Sequence, residues 1–226
     1  MGDPAEAVAS EQPGTQAVID TSEGKVYVRS YCEPGLIETL EIDSGIGIFA
    51  QYRSIIRGRD TLVHLARRPD GNVVLAYTED RKIIGYIVIT NPDPQDRWGK
   101  GDSAGIVEFG ALEVSRKWRR YGIARALMDV AFNDESLEDK IVISMEYSWH
   151  WDLEGSGLTK VQYRDRLLKL LKAYGFQQFP TNDPNILLDP ANMFTARVGK
   201  NVSNAVYLKF QTRLFGTQVS WARPID

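Results

Sequence analysis

The stretch RKWRRYGIARALM, residues 116–128, sets Arg119, Arg120, Tyr121, Gly122, Ile123, Ala124 and Arg125 where an apolar β-branched run gives way to a helical apolar stripe. The first N–H groups of a helix have no partner within it, and the helix dipole adds partial positive charge there. A phosphate suits such a place. Gly122 carries no Cβ to hold an anion off the backbone, and Ala124 is the next smallest residue at a second close position. Arg119 and Arg120 supply forked donors that match phosphate oxygens. The same residues would also serve as a basic turn capping a core helix.

A second kind of chemistry needs a proton acceptor. A lysine ammonium, with an ordinary pKa of about 10.4, attacks nothing until it loses a proton. A carboxylate in an apolar cleft could take that proton, directly or through water, if burial raises its pKa. The run AGIVEFGALEVS offers Glu108 and Glu113. A regular strand would put them on opposite faces, and Gly110 between them is a residue at which a bulge would form. Trp149, His150 and Trp151, in MEYSWHWDL, are amphipathic rings suited to the wall of a peptide groove or to the edge of a core. Only His64, His150 and Cys32 are available as soft ligands, none at metal-ligand spacing, so no metal site is expected.

The elements that must hold these residues are legible from periodicity. NVVLAYTED and KIIGYIVITNPDP read as a hairpin, and AGIVEFGALEVS and DKIVISMEYSW as further strands. Ile123, Leu127, Val130 and Ala131 form one helical stripe. Tyr163, Leu167, Leu170, Leu171 and Tyr174 form another, with Gly175 at the expected C-cap. PGLIETLEI and IFAQYRSII are weaker helical segments, and SNAVYLKFQTRLF is an amphipathic one near the end. Residues 1–22, rich in Ala, Gly, Pro, Glu, Gln and Ser, read as a flexible tail before one mixed α/β domain over 23–226. A net charge of −3 argues against general binding of nucleic acid or anionic membrane. There is no apolar run of the roughly 18 residues that a bilayer span needs, no apolar leader core, and a single cysteine. A cytoplasmic protein is expected.

Arg119-x-x-Gly122-x-Ala124, between a strand and an amphipathic helix and followed by the LLKAYGF junction, resembles the pyrophosphate motif of the GNAT superfamily of N-acetyltransferases. The resemblance implies a twisted, mostly antiparallel sheet, splayed at a cofactor cleft and flanked by helices. It implies acetyl-coenzyme A as cosubstrate, with its pyrophosphate on residues 119–125 and its pantetheine arm along Leu112, Glu113 and Val114. In the histone-acetyltransferase branch the base stands eleven residues before the first motif residue, which is Glu108 here. Many small-molecule members use a tyrosine acid four residues before the glycine of the GF junction; here Leu171 holds that place. Tyr147 and Tyr163 are the available substitutes, or simply core and cleft-wall aromatics. Arg120 stands where the family motif commonly has glycine.

IVEFGALEVSRKWRRYGIARALM, EYSWHWDL and ARVGKNVS together resemble the acetoin-utilisation lysine acetyltransferases of Gram-positive bacteria, from about residue 20 almost to the C-terminus. That likeness implies Nε-acetylation of an active-site lysine of acetyl-coenzyme A synthetase, which switches the synthetase off. A small-molecule N-acetyltransferase and a regulator that acts by docking on the synthetase remain as alternatives.

Overall fold

The structure, a computed structural model, describes residues 14–47 and 58–216. Its strands are β1 (Gln16–Thr21), β2 (Gly24–Arg29), β3 (Glu41–Ile42), β4 (Asn72–Thr78), β5 (Lys82–Thr90), β6 (Ile106–Val114), β7 (Ile141–Glu146), β8 (Gln177–Gln178) and β9 (Met193–Val198). Its helices are α1 (Pro34–Glu38), α2 (Arg59–Ala66), α3 (Ile123–Phe132), α4 (Leu153–Ser156), α5 (Lys160–Ala173), α6 (Pro184–Leu187) and α7 (Asn204–Leu214). The strands join in one sheet in the order β1-β2-β4-β5-β6-β7-β9-β8, with β3 beside β5. Pairing is antiparallel except at β6–β7 and β3–β5.

The expected hairpin is β4–β5, turned at Arg81, whose φ of 60° is left-handed. The stripe on α3 buries Ile123, Leu127, Met128, Val130 and Ala131 against one face of the sheet. α5 begins in a capping box, Thr159 with Gln162. It ends at Gly175, φ 84°, where the Gly175 and Phe176 N–H groups return to the carbonyls of Lys172 and Leu171. That is the glycine-dependent stop which the sequence announced. α1 and α2 cover the other face, beside Leu75, Ile83 and Tyr86, while α6 and α7 close the far end over Ile143, Phe194 and Trp98.

Two expectations change. Residues 16–21, inside the presumed tail, form β1, paired along its whole length with β2, with Ala17 and Ile19 packed on the core. The β-branched pair Val18–Ile19 favours a strand, and its period of two sets Ala17 and Ile19 on the core while Val18 faces out, despite a composition rich in small and polar types. In PGLIETLEI the helix ends at Glu38, and Glu41–Ile42 pair with Lys82–Ile83 instead. IFAQYRSII and residues 1–13 lie outside the described residues.

What positions the site is the irregularity of β6. Val88 pairs with Ala111 and Ile89 with Phe109, so Gly110 is the extra residue of a bulge. On its other edge β6 pairs with β7 only over Ile106–Glu108 against Ile141–Ile143. Beyond Glu108 the two strands separate. The bulge also shifts the alternation: Val107 and Phe109 join the α3 face before it, Leu112 and Val114 after it. Glu108 and Glu113, which a regular strand would set on opposite faces, therefore share one.

Candidate active site

A cavity of about 410 Å³ occupies the gap between β6 and β7. Its walls come from both faces of the sheet. Leu112, Val114, Arg119, Ala124, Tyr163 and Leu167 line it on the α3 and α5 side, and Tyr86, Glu108, Glu113 and Gly47 on the other. Two reactants can thus approach the split from opposite faces and meet within it.

The two strand glutamates have different surroundings. Glu113 accepts hydrogen bonds from the Tyr86 hydroxyl and the Gly47 N–H, each at 2.6 Å, which ties the 43–47 loop to β6. Glu108, at the last paired position before the split, has no such tether among the described residues. Burial, followed by the charges of Asp96 and Asp93, pushes its carboxyl up to about 7. Those aspartates belong to the loop after β5, which Arg97 and Arg213 hold to the C-terminal helix: Arg97 donates to the Leu214 carbonyl at 3.1 Å, and Arg213 to the Trp98 carbonyl at 2.7 Å. A carboxyl that titrates near neutrality has the proton affinity a general base needs.

On the opposite side, α3 starts at Gly122 with φ 79° and open space where a Cβ would stand. Among the described residues no side chain caps this start, and the first N–H to find an intrahelical acceptor is that of Ala126, on the Gly122 carbonyl at 3.1 Å. The helix start thus offers uncapped N–H groups and room beside them, which fits a phosphate. Ala124 reaches the cavity, whereas Ile123 is buried in the core and can offer only backbone. Tyr121 packs against Trp118 with ring centroids 5.7 Å apart. Arg120 and Arg125 are exposed.

Arg119 lines the cavity, but its guanidinium is engaged within the protein: Nη1 donates to Asp152 at 2.7 Å and Nε to the Val114 carbonyl at 3.3 Å. Arg120 has φ 76°, which explains the family's preference for glycine there. A left-handed residue with a Cβ costs roughly 1–2 kcal/mol, part of which glycine's larger loss of chain entropy offsets. Arg120→Gly is expected to raise stability by about 1 kcal/mol, read as a higher midpoint in urea, with coenzyme A affinity unchanged. A weakened affinity would mean that the Arg120 side chain itself reaches the ligand.

The aromatic segment divides. His150 and Trp151 line the cavity, Trp151 stacked on Tyr163 with centroids 5.2 Å apart. Trp149 instead stacks on the ring of Tyr147 at 4.7 Å. Burial lowers the His150 pKa. Both substitute tyrosines reach the cavity with their pKa values raised by burial, that of Tyr147 to about 12, so each keeps its proton near neutrality. Leu171 is fully buried in the core. Three contributors escaped sequence reasoning: Glu146, a cavity carboxyl that burial pushes up and that accepts from Ser144 at 2.8 Å; the Asp93–Asp96 pair beside Glu108; and Asp152. Only Asp152 had a local signal, lying three residues before Gly155 as a helix cap does. Among the described residues no group of three or more His, Cys, Asp or Glu could hold a metal, and no helix is long and apolar enough to cross a membrane.

A mixed, mostly antiparallel sheet that parts at a bulged glycine, with a glycine-started helix beside the gap, is the GNAT fold. The chain belongs to the acetyltransferase (GNAT) family, whose model matches residues 42–141. GNAT acetyltransferases use acetyl-coenzyme A. More particularly, the chain is 33% identical over 199 residues to the acetoin utilization protein AcuA of Bacillus subtilis (strain 168), covering 88% of this chain and 93% of that one. It is 32% identical over 197 residues to AcuA of Bacillus licheniformis, covering 87% and 92%. The crystal structure of the acetoin utilization protein from Exiguobacterium sibiricum 255-15 superposes with a TM-score of 0.82 at 30% identity, covering 92% of this chain and 97% of that one.

Proposed function

We propose that this acetyltransferase is a protein Nε-lysine acetyltransferase that carries acetyl from acetyl-coenzyme A to an active-site lysine of acetyl-coenzyme A synthetase in the cytoplasm and inactivates it. The observation that carries the reading is the cavity through the split sheet, with an untethered Glu108 on one face and an uncapped helix start on the other. The thioester of acetyl-coenzyme A supplies an activated acetyl group. The N–H groups at 122–125 hold the pyrophosphate, and the free edge of β6 along Leu112, Glu113 and Val114 aligns the pantetheine arm. Glu108 takes the proton from the lysine ammonium on the opposite face, leaving a free amine to attack the thioester carbon. Backbone N–H groups on the unpaired edge stabilise charge on the thioester oxygen.

A protein acceptor is supported by the rim on the Glu108 side. Asp93, Asp96 and Asp183 surround Glu108 and Tyr147 with negative charge, which favours an incoming ammonium. Close in sequence to Asp183, Leu187 and Leu188, 68% and 72% exposed, offer an apolar edge of a kind a folded partner covers.

The test mixes this protein, acetyl-coenzyme A and purified synthetase, and follows intact mass and synthetase activity together. A single acetyl gain that tracks lost activity is expected. Lost activity with no mass gain would mean regulation by docking, and neither change would direct the search to small amines.

A further inference from the structure

The carboxylate of Asp152 is held on every side by donors, and nothing in the reaction just proposed uses it. It is 0% exposed. One oxygen accepts from Arg116 Nη2 at 2.6 Å and from the Gly155 N–H at 2.9 Å; the other accepts from Arg116 Nε at 2.8 Å and Arg119 Nη1 at 2.7 Å. The Arg116 contact is the bidentate fork that fixes a guanidinium plane as well as its distance. Gly155 has no room for a Cβ, which would collide with both Asp152 and Arg116.

The partners come from two distant parts of the chain. Arg116 opens the short 3-10 turn Arg116–Trp118 after β6, and Arg119 is the first residue of the phosphate motif. Asp152 follows Trp151, a cavity wall, and caps α4 through Gly155. One buried anion thus joins the segment that leads into the α3 start to the aromatic wall across the cavity. The two arginine side chains are 31% and 27% exposed beside the helix start.

We propose that Asp152 is the positioning residue of the phosphate site: it clamps Arg116 and Arg119 so that the 116–122 segment presents the N–H groups of α3 to the pyrophosphate. Asp152 touches no reacting atom and acts only through the loop. Without it, two neighbouring guanidiniums would repel, both would lose the anion that fixes their planes, and the loop would need ordering each time a ligand bound. That ordering cost would fall on ligands that carry the pyrophosphate. The part of the cavity along β6, where the pantetheine arm lies, would be left as it is.

The inference rests on the reading of 119–125 as the phosphate site, and the experiment separates the two. Affinities for coenzyme A, which has the pyrophosphate, and for pantetheine, which lacks it, are measured calorimetrically on wild type, Asp152→Asn and Arg116→Gln. The expected result in wild type is a coenzyme A preference of at least about a hundredfold. In Asp152→Asn that preference falls at least about tenfold, with pantetheine affinity within about twofold of wild type. Arg116→Gln, which keeps the Arg119–Asp152 pair, falls by a smaller factor in the same direction and decides the matter if Asp152→Asn does not fold. A merely structural role would weaken both ligands together or neither, and either outcome would overturn the proposal. Equal affinities of wild type for both ligands would instead overturn the phosphate-site reading itself.

Discussion

Under the proposed mechanism, Glu108→Gln is expected to lower acetyl transfer by about 10²- to 10⁴-fold, the usual worth of a positioned general base, while coenzyme A binds as before. Glutamine keeps the volume and polarity of the side chain and removes only its capacity to hold a proton. The pH dependence gives the sharper signature. The base must be ionised to act, and its pKa is raised to about 7 by burial and by Asp96 and Asp93. Wild-type kcat/KM should therefore rise about tenfold per pH unit below 7 and level off above it, and the variant should lose that limb. A wild-type rate in the Glu108→Gln enzyme would remove Glu108 from the reaction.

The same residue should trade stability for activity. A carboxyl whose folded pKa lies above its ordinary 4.5 binds more protons in the folded state than in the unfolded one between about pH 4.5 and 7. Folding stability is therefore lost as pH rises through that window. Glu108→Gln removes the cost of the buried charge, so its melting temperature at pH 8 should exceed that of wild type, and the gap should narrow steadily towards pH 5. Melts at the two pH values check this, and a variant less stable at pH 8 would indicate a packing or hydrogen-bonding role instead.

How far the sequence could be read follows from the range of each interaction. The stripes of α3 and α5 and the Gly175 stop are local, so period and glycine placement disclose them. Gly110 was visible as a bulge residue that could turn Glu113 to the face of Glu108, but not whether it does so. Whether alternation shifts at a glycine depends on the register against β5, which pairing across the sheet determines. Arg119 was read as a phosphate ligand because its type and place suit one; its engagement with Asp152, 33 residues on, is a tertiary fact with no local trace. The raised pKa of Glu108 likewise comes from burial in the folded sheet and then from Asp96 and Asp93, brought beside it by a loop whose anchors, Arg97 and Arg213, lie far apart in the chain.

Gly122→Asp is expected to weaken coenzyme A binding by about 10²-fold or more, and without unfolding the protein. Two properties of aspartate separate ligand loss from misfolding. It tolerates the left-handed region better than most residues with a Cβ, and its negative charge at a helix start is favoured by the helix dipole. The substitution thus fills the anion site with an internal anion. An arriving phosphate would meet a like charge; at about 4 Å and an effective dielectric of about 20, unit charges repel by about 4 kcal/mol, which solvent reduces at an exposed position. Gly122→Ala supplies the comparison, because it adds the left-handed strain of roughly 1–2 kcal/mol without the charge. The expected order of coenzyme A affinity is glycine, then alanine, then aspartate, and the order of stability is glycine, then aspartate, then alanine. The inversion between the two series is the test, since a defect of folding alone would rank both alike. Titration calorimetry and urea melts on the three proteins measure it, and wild-type affinity in the aspartate variant would move the pyrophosphate away from the start of α3.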